Sequence, residues 1–226
     1  MSRDDFEISI IPNVKERTLT ITDNGIGMTK EELENNLGVI ANSGSFKFKE
    51  ENKDNSVEDV SVIGQFGVGF YSAFMIASKV IVRSKAFGSD EAFQWESSGV
   101  DGYTVDKCDK AQNGTVIILH LKQDSEDENY SEYLLEYKIR GLIKKYSDYI
   151  HYPIKMECTH RHLKDNADEL PEGEKYEEHK AVETLNSMVP LWEKSKSELK
   201  DEDYNEFYKE KYYDYSDPIL HIHSKT

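Results

Sequence analysis

Twice in this chain a glycine-punctuated turn stands between a β-strand pattern and a helix pattern, and this arrangement constrains the fold more than any other feature. The first turn is Asp23-Asn24-Gly25-Ile26-Gly27-Met28, and the second is Gly64-Gln65-Phe66-Gly67-Val68-Gly69-Phe70. Glycines at such junctions let the backbone turn sharply and pass close to a ligand. A helix that starts there aims its unpaired N–H groups and the positive end of its dipole back at the turn. Small anions suit such donors, whatever the net charge of the chain.

The elements around the turns follow from periodicity. Phe6, Ile8 and Ile10 alternate with polar residues, as do Leu19 and Ile21 among Thr18, Thr20 and Thr22, so the chain opens as a β-hairpin. Thr29 with Glu32 forms a capping box, and Leu33, Leu37 and Ile40 continue at helical spacing. The polar stretch 47–59 has little to bury and reads as a mobile loop. Tyr71, Phe74 and Met75 suggest a buried helix, and strands are expected at Val80–Val82, Phe93–Trp95 and Val116–Leu119. One amphipathic helix is expected over Tyr130–Tyr149, and Ile154–Met156 reads as a closing strand. The charged stretch 159–182 is expected to be a linker between an N-terminal domain, 1–158, and the beginning of a second unit, 183–226.

Composition narrows the function classes. Of 226 residues 37% are hydrophobic, enough for a core, and the formal net charge is -16. That balance excludes a general affinity for nucleic-acid backbone, which needs an excess of Lys and Arg. Two cysteines without close spacing, and no apolar run of membrane-spanning length, point to a reducing, cytoplasmic setting. His160, His162, His179, His221 and His223 lie in the expected linker and the final segment without a consistent ligand set, so no metal role is assigned to them.

The turns carry the chemistry. The carboxylate of Asp23, at a strand end, can accept from an exocyclic amine such as that of adenine, although Asp-Asn-Gly is also ordinary turn sequence. Gly64-x-x-Gly67-x-Gly69 leads into a helix and can hold phosphate, but no Lys-Ser or Lys-Thr follows and the last glycine of a dinucleotide fingerprint is missing. Taken alone, a tight glycine turn between packed elements is the plainer reading. Thr115, after Asn113-Gly114, is either a good strand residue or a hydroxyl bonded to a base.

In their order and spacing, Thr18-Leu19-Thr20-Ile21-Thr22-Asp23-Asn24-Gly25-Ile26-Gly27-Met28, Asn36-Leu37-Gly38-Val39-Ile40-Ala41-Asn42-Ser43-Gly44 and Ile63 to Ser72 resemble the heat-shock protein 90 chaperone family in its bacterial form. The likeness continues through Tyr146-Ser147-Asp148-Tyr149 and Tyr152-Pro153-Ile154 to Pro190-Leu191-Trp192, nearly the whole chain. It implies an α/β fold, a two-layer sandwich with a mostly antiparallel sheet and helices on one face, shared with gyrase, histidine kinases and mismatch-repair ATPases. It also implies ATP and Mg2+ as cofactors, a lid over residues 37–69, and a homodimeric clamp acting on non-native proteins.

By this resemblance Asp23 takes the adenine amine, and Gly27 and Thr115 share its water network. Met28 lies against the base, while Asn36, Leu37 and Phe70 face the sugar and phosphates. Gly64, Gln65, Phe66, Gly67, Val68 and Gly69 present amides to the phosphate end. Asn42 stands where the family often has Lys. The family's catalytic Glu and magnesium-holding Asn come from a helix that precedes the first hairpin, and its phosphate-directed Arg from the middle domain. None can be assigned here, since Glu7 reads as part of the opening strand. The expectation is therefore a fragment that binds nucleotide with no turnover of its own. The other reading is a type II topoisomerase or mismatch-repair relative, which would carry an Arg near the first glycine turn and a basic face.

Overall fold

The computed structural model describes residues 5–39, 67–164, 171, 175–212 and 214–224. The opening alternation becomes the hairpin of β1 (Ile8–Asn13) and β2 (Thr18–Asp23), paired antiparallel with Ile10 opposite Ile21. Helix α1 (Lys30–Leu37) starts on its capping box: Glu32 N–H donates to Thr29 Oγ1 at 3.2 Å and Thr29 N–H to Glu32 Oε2 at 2.7 Å. Such a cap contributes about 1 kcal/mol. A 3₁₀ turn (Gly69–Ser72) and the short α2 (Ala73–Ile76) lead into β3 (Ala77–Lys85), β4 (Ala92–Ser97), β5 (Tyr103–Cys108) and β6 (Gly114–Leu121). Helix α3 (Glu136–Tyr146), β7 (Ile154–Leu163), β8 (Tyr176–Thr184) and α4 (Asp201–Tyr212) complete the order.

The described strands form one eight-stranded sheet, β5-β4-β3-β6-β2-β1-β7-β8. Every junction is antiparallel except β1 with β7, where Ile8 meets Ile154 and Ile10 meets Met156 in parallel. The registers put Trp95, Val80, Val82, Leu119, Leu19 and Ile21 on one face. That face carries the core. Leu33 and Leu37 of α1 pack with Val80, Val82, Trp95 and Leu119, while Ile139 and Ile143 of α3 pack with Ile154, Met156 and Cys158. The α/β fold with a mostly antiparallel sheet is as expected. Among the described residues no helix is long and apolar enough to cross a membrane.

Four details differ from expectation. Tyr130–Tyr149 is not one helix but a 3₁₀ turn (Tyr130–Leu134) and α3, broken where Leu135 is extended. Leu134 anchors in one core cluster and Ile139 in the other, so a single straight helix cannot serve both. Met75 is 71% exposed, because α2 is too short to bury all its sides. Strand β5, at the sheet edge, has only a weak apolar alternation and escapes detection by pattern.

The largest difference concerns the supposed linker. Residues 159–163 and 176–180 are strand, paired from Thr159 with Lys180 to Leu163 with Tyr176. Charged side chains conceal this hairpin in the sequence, but ladder bonds need no apolar residues, and the Arg161 guanidinium lies 4.2 Å above the Tyr176 ring. Asn186, buried, ties β7 to the preceding loop: its Oδ1 accepts Ile154 N–H at 2.8 Å, and its Nδ2 donates to the carbonyls of Ile150 at 2.8 Å and Tyr152 at 3.0 Å.

Candidate functional site

Strand register alone brings three polar side chains to one place. Ile21 pairs with Ile117 and Val82 with Ile117, so Asp23, Thr115 and Ser84 fall on the core face at neighbouring strand ends. Each stands where the inward phase of its strand calls for an apolar residue. Ser84 is wholly buried and Thr115 nearly so.

Asp23 is fixed by backbone donors. Its Oδ1 accepts Gly25 N–H at 2.9 Å and Thr115 N–H at 3.3 Å. Oδ2 takes no hydrogen bond from a described residue, which leaves an acceptor for an incoming donor. Ser84 connects the other parts: its Oγ accepts Met28 N–H at 2.8 Å, lies 3.0 Å from Thr115 Oγ1, and donates toward Gly114 O at 3.3 Å in an alternative arrangement of its one proton. Asn113 Nδ2 donates to Gly25 O at 2.6 Å, tying the β6 entry to the first glycine turn.

The glycines are there for space. Gly27 has φ 64, and a Cβ on it would lie 1.9 Å from the Lys85 carbonyl oxygen. Gly114 has φ 102, and its Cβ would lie 2.3 Å from the Asp23 carbonyl oxygen. The first turn and the β6 entry therefore touch backbone to backbone.

Around this centre, Asn36 Nδ2 reaches Met28 Sδ at 4.0 Å. Leu37 is buried and its carbonyl accepts the Tyr71 hydroxyl at 2.9 Å. Burial, and then the neighbouring Tyr103, push the Tyr71 phenol up, so it stays a protonated donor. Phe70 packs edge-on against Trp95, with ring centroids 5.5 Å apart. Gly67 has φ 64, and Gly69 has open space where a Cβ would stand. Gly64, Gln65, Phe66 and Asn42 lie outside the described residues, as does most of the expected lid.

Ser84, Asn113 and Lys110 were not assigned a role from sequence. Ser84 could have been found as the polar member of the inward series Val80, Val82, Ser84. Lys110 Nζ donates to the carbonyls of Gln112 at 2.7 Å and Asn113 at 3.3 Å, which places a cation beside the site. Burial pushes its ammonium down, while the Asp23 carboxylate raises it. Glu7 immediately precedes β1 and alternates to the opposite face of the sheet from Asp23. There its Oε2 meets Lys155 Nζ at 2.5 Å, so it cannot act on a ligand held by Asp23.

Comparison with known proteins gives the family. A family described as "Histidine kinase-, DNA gyrase B-, and HSP90-like ATPase" matches residues 4–125, and one described as "Hsp90 protein" matches residues 163–226. The chain is 54% identical over 223 residues to "Chaperone protein HtpG" of Clostridium perfringens, covering 98% of this chain and 34% of that protein. It is also 54% identical over 224 residues to the protein of the same name from Clostridium botulinum, covering 99% of this chain and 35% of that one. The chain thus spans about a third of the length of the curated relatives it matches. With more than half of its length matched by the first description and its later part by the second, the chain belongs to the histidine kinase-, DNA gyrase B- and HSP90-like ATPase family, on its HSP90 side.

Proposed function

We propose that this chain is the nucleotide-binding part of an ATP-dependent chaperone. The observation that carries the reading is the Asp23 carboxylate, with Oδ1 fixed by the Gly25 and Thr115 amides and Oδ2 open to a donor. The exocyclic amine of adenine is such a donor, and the Thr115 hydroxyl beside it suits the adjacent ring nitrogen, directly or through water. Met28 and Asn36 flank the base and sugar side, and Gly67, Val68, Gly69 and Phe70, with the undescribed Gly64, Gln65 and Phe66, form the phosphate side.

In the longer protein, ATP hydrolysis coupled to closure of the lid would drive a homodimeric clamp on unfolded or non-native proteins in the cytoplasm. Hydrolysis needs an activated water and a neutralised phosphate. Magnesium would enter with the nucleotide, held chiefly by its phosphates and by water. Glu7 is held by Lys155 on the face of the sheet opposite Asp23, and ATP binding without turnover is the reading for the chain itself. The topoisomerase and mismatch-repair alternative is not favoured: the relatives are chaperones and the charge is -16.

Asp23→Asn exchanges an acceptor for a donor at Oδ2 or disturbs the two amide bonds at Oδ1. Calorimetry with ATP should show affinity lowered about tenfold or more, since charge-assisted bonds contribute about 1.5–3 kcal/mol. Equal affinity in the variant would refute the assignment of Asp23.

A further inference from the structure

The hairpin that replaces the expected linker gathers histidines that look scattered in the sequence. His160 and His162 alternate to the same face of β7, and His179 of β8 stands opposite His160. Their rings form a compact triangle, with centroids 5.1 Å apart for His160 and His179, 4.9 Å for His162 and His179, and 6.1 Å for His160 and His162. We propose that His160, His162 and His179 form a binding site for a borderline-soft divalent cation, of which Zn2+ is the type.

The spacing is right for it. Three imidazole nitrogens about 2.0–2.1 Å from a tetrahedral ion place the ring centroids roughly 5 Å from one another. A strand His-x-His with a third His on the next strand supplies three ligands from one face, and water takes the fourth position. As the rings stand they are nearly parallel, at 11° to 19°, and their nitrogens do not converge. A half-turn about χ2 of His162 or His179 exchanges each nitrogen with a ring carbon while the ring keeps its place, and a modest tilt of these partly exposed side chains then closes the site, with His160 left on Glu183.

The charges around the rings agree. His160 Nε2 contacts Glu183 Oε1, the carboxylate-to-imidazole arrangement that orients a metal-binding ring and leaves its other nitrogen to the ion, and Glu177 stands opposite His162 in the ladder. Two of the hairpin's cations are kept off this face. Lys180 is bound to Glu157 at 2.7 Å, and Arg161 is stacked on Tyr176, both on the opposite side. Arg140, which approaches from α3, is neutralised by Glu136 at 3.3 Å and Glu183 at 2.9 Å.

The test is calorimetric titration of the tag-free, reduced chain with ZnCl2 at about pH 7.5, where imidazoles are free to ligate. The expected result is one equivalent of Zn2+ per chain, with affinity lowered by about tenfold or more in His160→Ala and in His179→Ala. His221→Ala should bind as the native chain does. Zn2+ should also raise the melting temperature of the native chain and leave that of His179→Ala unchanged, because a ligand that binds only the folded form stabilises it. The proposal is overturned if the native chain takes up no Zn2+, or if both hairpin variants bind it with undiminished affinity.

Discussion

The hydroxyl of Ser84 lies 3.0 Å from that of Thr115 in the interior, and through Ser84 the base-facing end of β6 is joined to Met28 at the end of the first glycine turn. Ser84 is not itself assigned to the nucleotide, but it touches two residues that are: besides Thr115, it accepts the Met28 N–H at 2.8 Å and so holds the residue proposed to lie on the base.

Ser84→Ala leaves that amide and the Thr115 hydroxyl short of a partner in a place closed to water. Each such loss costs about 1–3 kcal/mol. Stability in urea should fall by about that amount, and ATP should bind several-fold more weakly. Ser84→Thr, which keeps the hydroxyl, should restore more affinity than Ser84→Val of the same size. If Val and Thr behave alike, the hydroxyl has no positioning role.

Gly27→Ala and Gly141→Ala should move stability in opposite directions. At Gly27 a Cβ would meet the Lys85 carbonyl oxygen at 1.9 Å, with φ 64 besides, and the turn would have to open. A loss of about 2 kcal/mol or more is expected. Gly141 sits exposed within α3 with nothing within 4 Å of a Cβ, so alanine there should add about 0.5–1 kcal/mol. Paired denaturation curves decide it, and a stabilised Gly27→Ala would contradict the backbone contact.

Asn186→Ala removes three hydrogen bonds from a buried side chain and leaves Ile154 N–H without its partner. The expected cost is about 2–4 kcal/mol, the upper part of the range for ordinary substitutions. Amide exchange should quicken at Ile154 first. Unchanged protection there would mean that β7 does not depend on Asn186.

Arg17, by its side-chain hydrogen bond, and then Ser131 hold the Asp124 carboxyl well below the usual carboxylate range. A carboxylate whose pKa is lower folded than unfolded stabilises the fold above its unfolded value, about 3.9, and loses that contribution as pH falls toward the folded one. Asp124→Asn should therefore flatten the acid limb of the stability profile below about pH 4 and leave its shape near neutrality unchanged. The pair is solvent-exposed, so the difference should shrink in high salt. Urea midpoints across acid pH for both proteins are the measurement, and parallel profiles would remove Asp124 from the account.

Much of the fold could be read from the sequence because its strands alternate: Ile8, Ile10, Leu19, Ile21, Val80 and Val82 all face the core. The same alternation makes the site visible, since Asp23, Ser84 and Thr115 interrupt it with polar groups. Only Ser84 was passed over, as a lone serine between Arg83 and Lys85 has no motif around it. The β7–β8 hairpin was hidden for the opposite reason. Beyond Cys158 its outward residues are charged, and Leu163 and Val182 are 61% and 68% exposed, so no apolar face announces it. What holds it is cross-strand pairing, which composition does not record.

The parallel junction of β1 with β7 has a consequence for synthesis. The opening hairpin leaves the ribosome with both flanks bare: β6 supplies one neighbour only from Gly114 onward, and β7 the other only from Ile154. At roughly 5–20 residues per second the nascent chain must carry these unpaired edges for several seconds, during which any other extended segment can add to them. The centre of the finished sheet is thus, while the chain is being made, its part most open to mispairing.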